Sequence, residues 1–151
     1  MISGVKVKEL RFYLDERGRL LEILRADDEL FKKFGQVYIT TVYPGVIKAW
    51  HLHKKQTDNI CCIKGNVKLV LYDNRKKSRT CGRIMEFAFG EANPLVVQVP
   101  PGVYHGIKCI GNEEAIVLNV PDYPYNHKKP DEYRLDPYSS DIPYDWGRVD
   151  R

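Results

Sequence analysis

An all-β sandwich or barrel is the fold class that the sequence predicts, and three observations predict it. Short runs rich in Val, Ile, Tyr and Phe recur along most of the chain. Gly, Pro, Asn and Asp punctuate them at close intervals, and a single segment carries a helical period. The 151 residues, 43% hydrophobic and 29% charged, describe one domain (1–151) with enough interior to fold without a disulfide or metal staple.

The strands are expected, in order, over Val5 to Leu14, Leu20 to Leu24, Gln36 to Tyr43, Val46 to His53, Asn59 to Ile63, Val67 to Tyr72, Arg83 to Phe89, Leu95 to Val99, Val103 to Cys109 and Ala115 to Val120. Turn chemistry separates them at Asp15-Glu16-Arg17-Gly18, Lys64-Gly65-Asn66, Asp73 to Gly82 and Pro100-Pro101-Gly102. Lys64-Gly65-Asn66 opens no helix and so reads as a hairpin turn, not a phosphate loop. One short helix is expected over Asp27 to Phe34, where Asp27 or Asp28 can cap and Leu30, Phe31 and Phe34 fall at helical spacing. From Pro121 the composition shifts to Tyr and Pro among charges. A tail with this many large aromatics is expected to pack on the barrel or on a partner subunit, with Tyr123, Tyr125 and Trp146 as packing groups.

Charge and cysteine usage exclude several classes. The formal net charge is +4, and its clusters, Lys54-Lys55, Arg75-Lys76-Lys77 and Lys128-Lys129, are short and scattered, so nucleic acid is not an expected partner. No apolar run approaches the roughly 18–20 residues that cross a bilayer, and the first residues lack a signal core; no membrane association and a cytoplasmic location are expected. Cys61, Cys62, Cys81 and Cys109 show no metal-knuckle spacing and read as small buried thiols.

Strand alternation puts Ala49, His51 and His53 on one face and Lys48, Trp50 and Leu52 on the other. Two imidazoles on an inward face of a barrel need a function to justify their desolvation.

The spacing Gly45, His51, His53, Asp58, Gly65, followed later by Pro100-Pro101-Gly102-Val103-Tyr104-His105, resembles the two signatures of the cupin superfamily. The resemblance implies a double-stranded β-helix, or jelly-roll barrel. In metal-binding cupins these positions hold a divalent transition metal, which here would fall to His51, His53, Asp58 and His105.

Within the cupins, nearly the whole chain resembles the dTDP-4-dehydrorhamnose 3,5-epimerases. The match runs through Asp15, Arg17, Gly18 and Glu22, then Phe34 and Gln36, then Gly45-Val46-Ile47-Lys48-Ala49-Trp50-His51, then Pro100 to Gly106, Asp122-Tyr123, and Asp136-Pro137 to Asp145-Trp146. This resemblance implies a base at His51, oriented by Asp136, and a nucleotide-sugar substrate held by Arg17, Glu22, Gln36, Lys48, Tyr38 and His105, with no cofactor and a homodimeric assembly. Asp58 stands where the family has its enolate-stabilising Lys, and Leu118 where it has its proton-donating Tyr. Tyr38, Tyr104, Lys48 and His53 are the candidates to supply those functions.

The first half is also similar to the dTDP-sugar 3,4-ketoisomerases, through Val37-Tyr38-Ile39-Thr40 and His51-Leu52-His53-Lys54-Lys55. In those proteins paired histidines move protons between adjacent carbons. The expected function is therefore epimerisation or isomerisation of a nucleotide-linked 4-keto-6-deoxyhexose for surface polysaccharide, with His51, Asp136, His53 and Tyr104 as the catalytic set. A metal-dependent dioxygenase or small-molecule isomerase is the rival reading, and a catalytically idle sugar-nucleotide-binding cupin the third.

Overall fold

The structure is a computed structural model that describes residues 1–139 and 141–148. Eleven strands form the body: β1 (Lys6–Glu9), β2 (Phe12–Asp15), β3 (Gly18–Leu21), β4 (Tyr38–Val42), β5 (Ile47–Leu52), β6 (Asp58–Lys64), β7 (Asn66–Asp73), β8 (Ile84–Gly90), β9 (Leu95–Val99), β10 (Val103–Cys109) and β11 (Ala115–Asn119). A two-residue strand β12 (Tyr133–Arg134) follows in the tail. Two five-stranded antiparallel sheets, ordered β1-β9-β6-β11-β4 and β12-β5-β10-β7-β8, form a jelly roll, and β2-β3 stands apart as a hairpin. Leu95–Val99 and Val103–Cys109 have the bounds that side-chain pattern alone predicts.

Inward positions alternate down each strand and fill the space between the sheets with Val42, Ile60, Cys62, Val67, Leu69, Leu71, Val97, Val99 and Val117. Toward one end of the sandwich the same inward rows turn polar: Asp58 begins β6, Asn119 ends β11, and both are buried. Because β6 and β11 are antiparallel, their polar ends adjoin.

The segment 27–34 is not helical. Its backbone bonds are the turn contacts Asp28 N–H to Arg25 O and Phe31 N–H to Asp28 O, each spanning three residues. Long-range partners outcompete the helix: Asp28 binds Lys8 at 2.5 Å, and the Leu30 carbonyl accepts from Gln98 Nε2 at 2.5 Å. Leu30 itself is buried against Cys61 and Val96. Among the described residues there is no helix long and apolar enough to cross a membrane. Cys61, Cys62 and Cys109 are buried as expected, whereas Cys81 is exposed in the β7–β8 turn.

The tail packs back on the barrel. Leu135 exchanges both backbone hydrogen bonds with Trp50, at 2.9 and 3.1 Å, and β12 pairs with β5. Trp146 then lies on Trp50 with ring centroids 5.0 Å apart, and Tyr144 meets both indoles edge-on. Gly106 lies beneath this cluster because a Cβ there would fall 2.3 Å from that of Ala49 and 3.1 Å from the Trp146 ring. Trp146 is 1% exposed, so Trp146→Ala is expected to cost about 3–5 kcal/mol. Urea unfolding of the variant against the parent checks this.

Candidate active site

Strand β5 delivers the chemistry. Its register against β10 pairs His51 with His105 but Lys48 with Ile107, three steps on one strand against two on the other. The extra residue reverses the side-chain phase. Strict alternation would send Lys48 to the outer face; the bulge returns it to the inner one, where its Nζ donates to Thr40 Oγ1 at 2.9 Å. Lys48, His51, His53 and His105 thus line one open cavity of about 1520 Å³, together with Gln36 and Tyr38.

His51 Nδ1 donates to Glu132 Oε1 at 3.1 Å. Burial lowers the pKa of His51 below its ordinary value, and the Glu132 contact opposes that shift only in part. Glu132 stays ionised: burial raises its pKa, but Arg134 and His51 together hold it below the usual carboxylate range. The result is a neutral imidazole with its Nδ1 hydrogen fixed and Nε2 free.

His53 donates from Nδ1 to the main-chain oxygen of Asp131, and His105 from Nδ1 to Val103 O at 3.4 Å. Their Nε2 atoms both turn toward Asp58 Oδ2, at 3.4 and 3.6 Å. The other oxygen of Asp58 accepts from Gln56 Nε2 and Asn119 Nδ2, each at 2.8 Å. Full burial pushes the pKa of His105 down, opposed by the charge of Asp58. Asp58 is 1% exposed and does not line the cavity.

Three ligand atoms of His53, Asp58 and His105 lie within 4.8 Å of one another. Nδ1 hydrogens bound to carbonyls leave both Nε2 atoms directed at one point, the outer-shell arrangement that metal-ligating histidines use. These three residues fit a divalent ion; His51 falls outside the group, its Nδ1 committed to Glu132.

Asn119 Nδ2 also donates to the Tyr38 hydroxyl at 2.9 Å. With its oxygen accepting there, Tyr38 keeps its hydroxyl hydrogen for the cavity. Burial, reinforced by the charge of Asp58, pushes its pKa up to about 12.

Four expected site residues lie elsewhere. Asp136 is exposed and caps its own turn, accepting from Tyr138 N at 2.8 Å; the carboxylate on His51 belongs to Glu132, four residues earlier. Tyr104 alternates with His105 and so faces outward, near Tyr72, Asp141 and Ile142. Arg17 is 85% exposed at the hairpin tip and pairs with Asp15, and Glu22 pairs with Arg25. Neither lines the cavity. The residues that sequence reasoning missed, Glu132, Asp131 and Asn119, carry no motif. Only the acidic pair just before the short Tyr133-Arg134-Leu135 run hinted at a role for that segment.

A strap, residues 123–135, forms the cavity mouth and brings His127, Lys128 and Lys129 to a rim shared with Lys54 and Lys55. It passes so close to Gly35 that a Cβ there would lie 2.3 Å from the Tyr123 backbone.

The family model for the polysaccharide biosynthesis C-terminal domain matches residues 13–133. The chain belongs to this family. Among relatives, it is 40% identical to the probable low-salt glycan biosynthesis epimerase Agl13 of Haloferax volcanii, over 95% of this chain and 89% of that one. Among solved structures, a dTDP sugar isomerase from Desulfovibrio desulfuricans G20 superposes with a TM-score of 0.93 at 33% identity, covering 99% of this chain and 94% of that one. The dTDP-4-dehydrorhamnose 3,5-epimerase of Elizabethkingia anophelis NUHP1 gives 0.81 at 26%, covering 98% and 84%. The fold is that of the epimerase-like jelly-roll cupins, and the relatives named here are sugar epimerases or isomerases, one of them probable.

The dyad makes a measurable statement. The His51 ring should titrate below 6.5, its ordinary value, and Glu132→Gln should lower the midpoint further by removing the charge that raises it. Since the folded pKa is depressed, the stability that His51 contributes is present above 6.5 and is lost as pH falls toward the lowered value. NMR titration of the imidazole protons in both proteins checks the order.

Proposed function

We propose that this protein is an epimerase or isomerase of a nucleotide-linked 4-keto-6-deoxyhexose, acting in surface-polysaccharide synthesis by removing a proton next to the keto group. The observation that carries the reading is the His51–Glu132 dyad inside a cavity rimmed by Lys54, Lys55, Lys128 and Lys129. A keto group acidifies the adjacent C–H bonds. His51 Nε2 takes that proton; the electron pair passes into the enolate; the Nδ1 hydrogen stays on the ring, donated to the ionised Glu132 carboxylate, which steadies the imidazolium.

The enolate needs a positive or hydrogen-donating neighbour. Lys48 and the Tyr38 hydroxyl line the same cavity and supply both kinds. The carboxylate of Asp58, where the 3,5-epimerases that the chain resembles have a Lys, is screened from the cavity by its bonds to Gln56 and Asn119 and by the imidazoles of His53 and His105. The lysine rim suits a diphosphate as a set of point charges. A cytoplasmic homodimer accords with this reading: four free cysteines suit a reducing compartment, and the β2–β3 hairpin exposes Leu14 and Leu20, apolar side chains that a second copy would cover.

The test is incubation with dTDP-4-keto-6-deoxyglucose in D₂O, following the C3 and C5 proton signals by NMR. Exchange at one or both carbons is expected, and His51→Asn should slow it by about 10²–10⁴-fold while the fold persists. Undiminished exchange in His51→Asn would overturn the assignment of the base.

A second reading is favoured by one observation, the convergence of His53, Asp58 and His105 within 4.8 Å. A divalent transition metal held there would act as a Lewis acid on a substrate oxygen. Elemental analysis of protein purified without chelators decides it: near one metal per chain supports the reading, and less than about 0.1 rejects it.

A further inference from the structure

We propose that Asp131 is a positioning residue for His53, so that the strap fixes the ring orientation of the second imidazole of the site. The inference rests on the reading of this cavity as the reactive site, and goes beyond it by assigning a role to a residue that acts through His53.

Three observations lead there. The Asp131 carboxylate accepts three successive backbone N–H groups, from Lys54 at 2.9 Å, Lys55 at 2.8 Å and Gln56 at 3.1 Å. Such a concave run of N–H groups is an anion nest, and here the anion is a side chain of the protein itself. The main-chain oxygen of the same residue accepts from His53 Nδ1. A carbonyl can only accept, so Nδ1 carries its hydrogen in either charge state of the ring. The same bond turns Nε2 toward Asp58, so the ring orientation is set by the strap. Asp131 grips the turn after His53 with its side chain and His53 itself with its backbone. Removing the carboxylate releases the turn and frees the carbonyl to swing away.

The clamp is separable from the one on His51. Glu132 holds His51, and from Tyr133 onward the strap is anchored independently by the β12–β5 pairing and by the two Trp50–Leu135 hydrogen bonds. Loss of the Asp131 carboxylate should loosen the His53 end and spare the His51 end. A residue that only stabilised the fold would show no such selectivity.

The experiment is long-range ¹H–¹⁵N correlation spectroscopy of the four histidine rings, assigned with single-histidine variants and run on the parent, Asp131→Ala and Asp131→Asn. In the parent, His53 should show the Nδ1–H form. In Asp131→Ala it should shift toward the Nε2–H form while His51 is unchanged, and Asp131→Asn, which keeps one acceptor oxygen for the nest, should fall between. Deuterium exchange into the sugar nucleotide should fall at least tenfold in kcat for Asp131→Ala, with KM within about threefold, and recover in part with Asn.

If Asp131→Ala does not fold, Asp131→Asn alone decides by the same signal. A folded variant in which His53 keeps its parental form, or one in which His51 shifts equally, overturns the proposal. The ring spectra need no substrate: a His53 shift in a protein that enolises no sugar nucleotide would sink the proposed reaction and leave the role of Asp131 standing.

Discussion

The site depends on how Trp50 is held. Its side chain is fully buried, and its backbone N–H and C=O are both bound to Leu135. Without the tail, β5 would be an edge strand with a large indole turned to water. With it, Trp50 is enclosed by Tyr144, Trp146 and Ile142, and β5 becomes an inner strand of its sheet. A side chain anchored that firmly on one face fixes what the other face presents. His51 and its neighbour two residues on must then enter the cavity, and β12 arrives on the β5 edge at the place where its preceding residues, Asp131 and Glu132, meet both rings.

This enclosure has costs of its own. The indole N–H groups of Trp50 and Trp146 are buried with no hydrogen-bond partner, a loss on the order of 1–3 kcal/mol each. Burial of 150–250 Å² of aromatic surface per ring, at about 25 cal/mol per Å², is worth roughly 4–6 kcal/mol and outweighs it. The polar end of the interior follows a different rule. There the polar groups hold one another: Asp58 Oδ1 accepts from Gln56 and Asn119, His53 Nδ1 donates to Asp131 O, and Asn119 bridges Asp58 and Tyr38 and accepts from Asn59 N–H. A buried carboxylate beside buried imidazoles survives only in such a network, because one missing partner leaves a desolvated charge.

Much of this was legible in the sequence, for physical reasons. Val103–Cys109 alternates near its ends and Leu95–Val99 is a short, mostly apolar run buried on both faces, and in both the pattern ends where the strand ends. The His-x-His pair and His105 lie on inward positions that alternation identifies. What the sequence hid involves either a local break in periodicity or a long-range partner. The bulge at Ala49 and Trp50, opposite Gly106, inverts the side of Lys48, and nothing in β5 itself marks it. The apolar spacing in 27–34 is real, since Leu30 is buried, but Lys8 and Gln98 claim the groups that a helix would need. Asp136 was the expected partner of His51 because the resemblance to the 3,5-epimerases implied it; the β12 register instead places Glu132 there, and register is set by pairing, not by composition.

The arrangement also bears on which reaction the cavity can carry. Inversion at a carbon needs a proton returned on the face opposite to the one it left, whereas moving a keto group along the ring can use one face throughout. His51 and His53 project from one strand, with His105 on the next, and ring centroids of 6.0 and 5.5 Å make them neighbours on a single wall. Tyr38 comes from β4, in the other sheet, and its hydroxyl is kept protonated by burial and by Asp58. A sugar lying between the sheets would meet a base on one side and a hydroxyl donor on the other, the pair that inversion requires. A sugar tilted against the histidine wall would meet two imidazoles and no opposing acid. On the proposed reading, the choice between epimerisation and ketone migration would reduce to the tilt of the hexose, and the lysines of the strap and of the turn that Asp131 holds stand where a diphosphate would set that tilt.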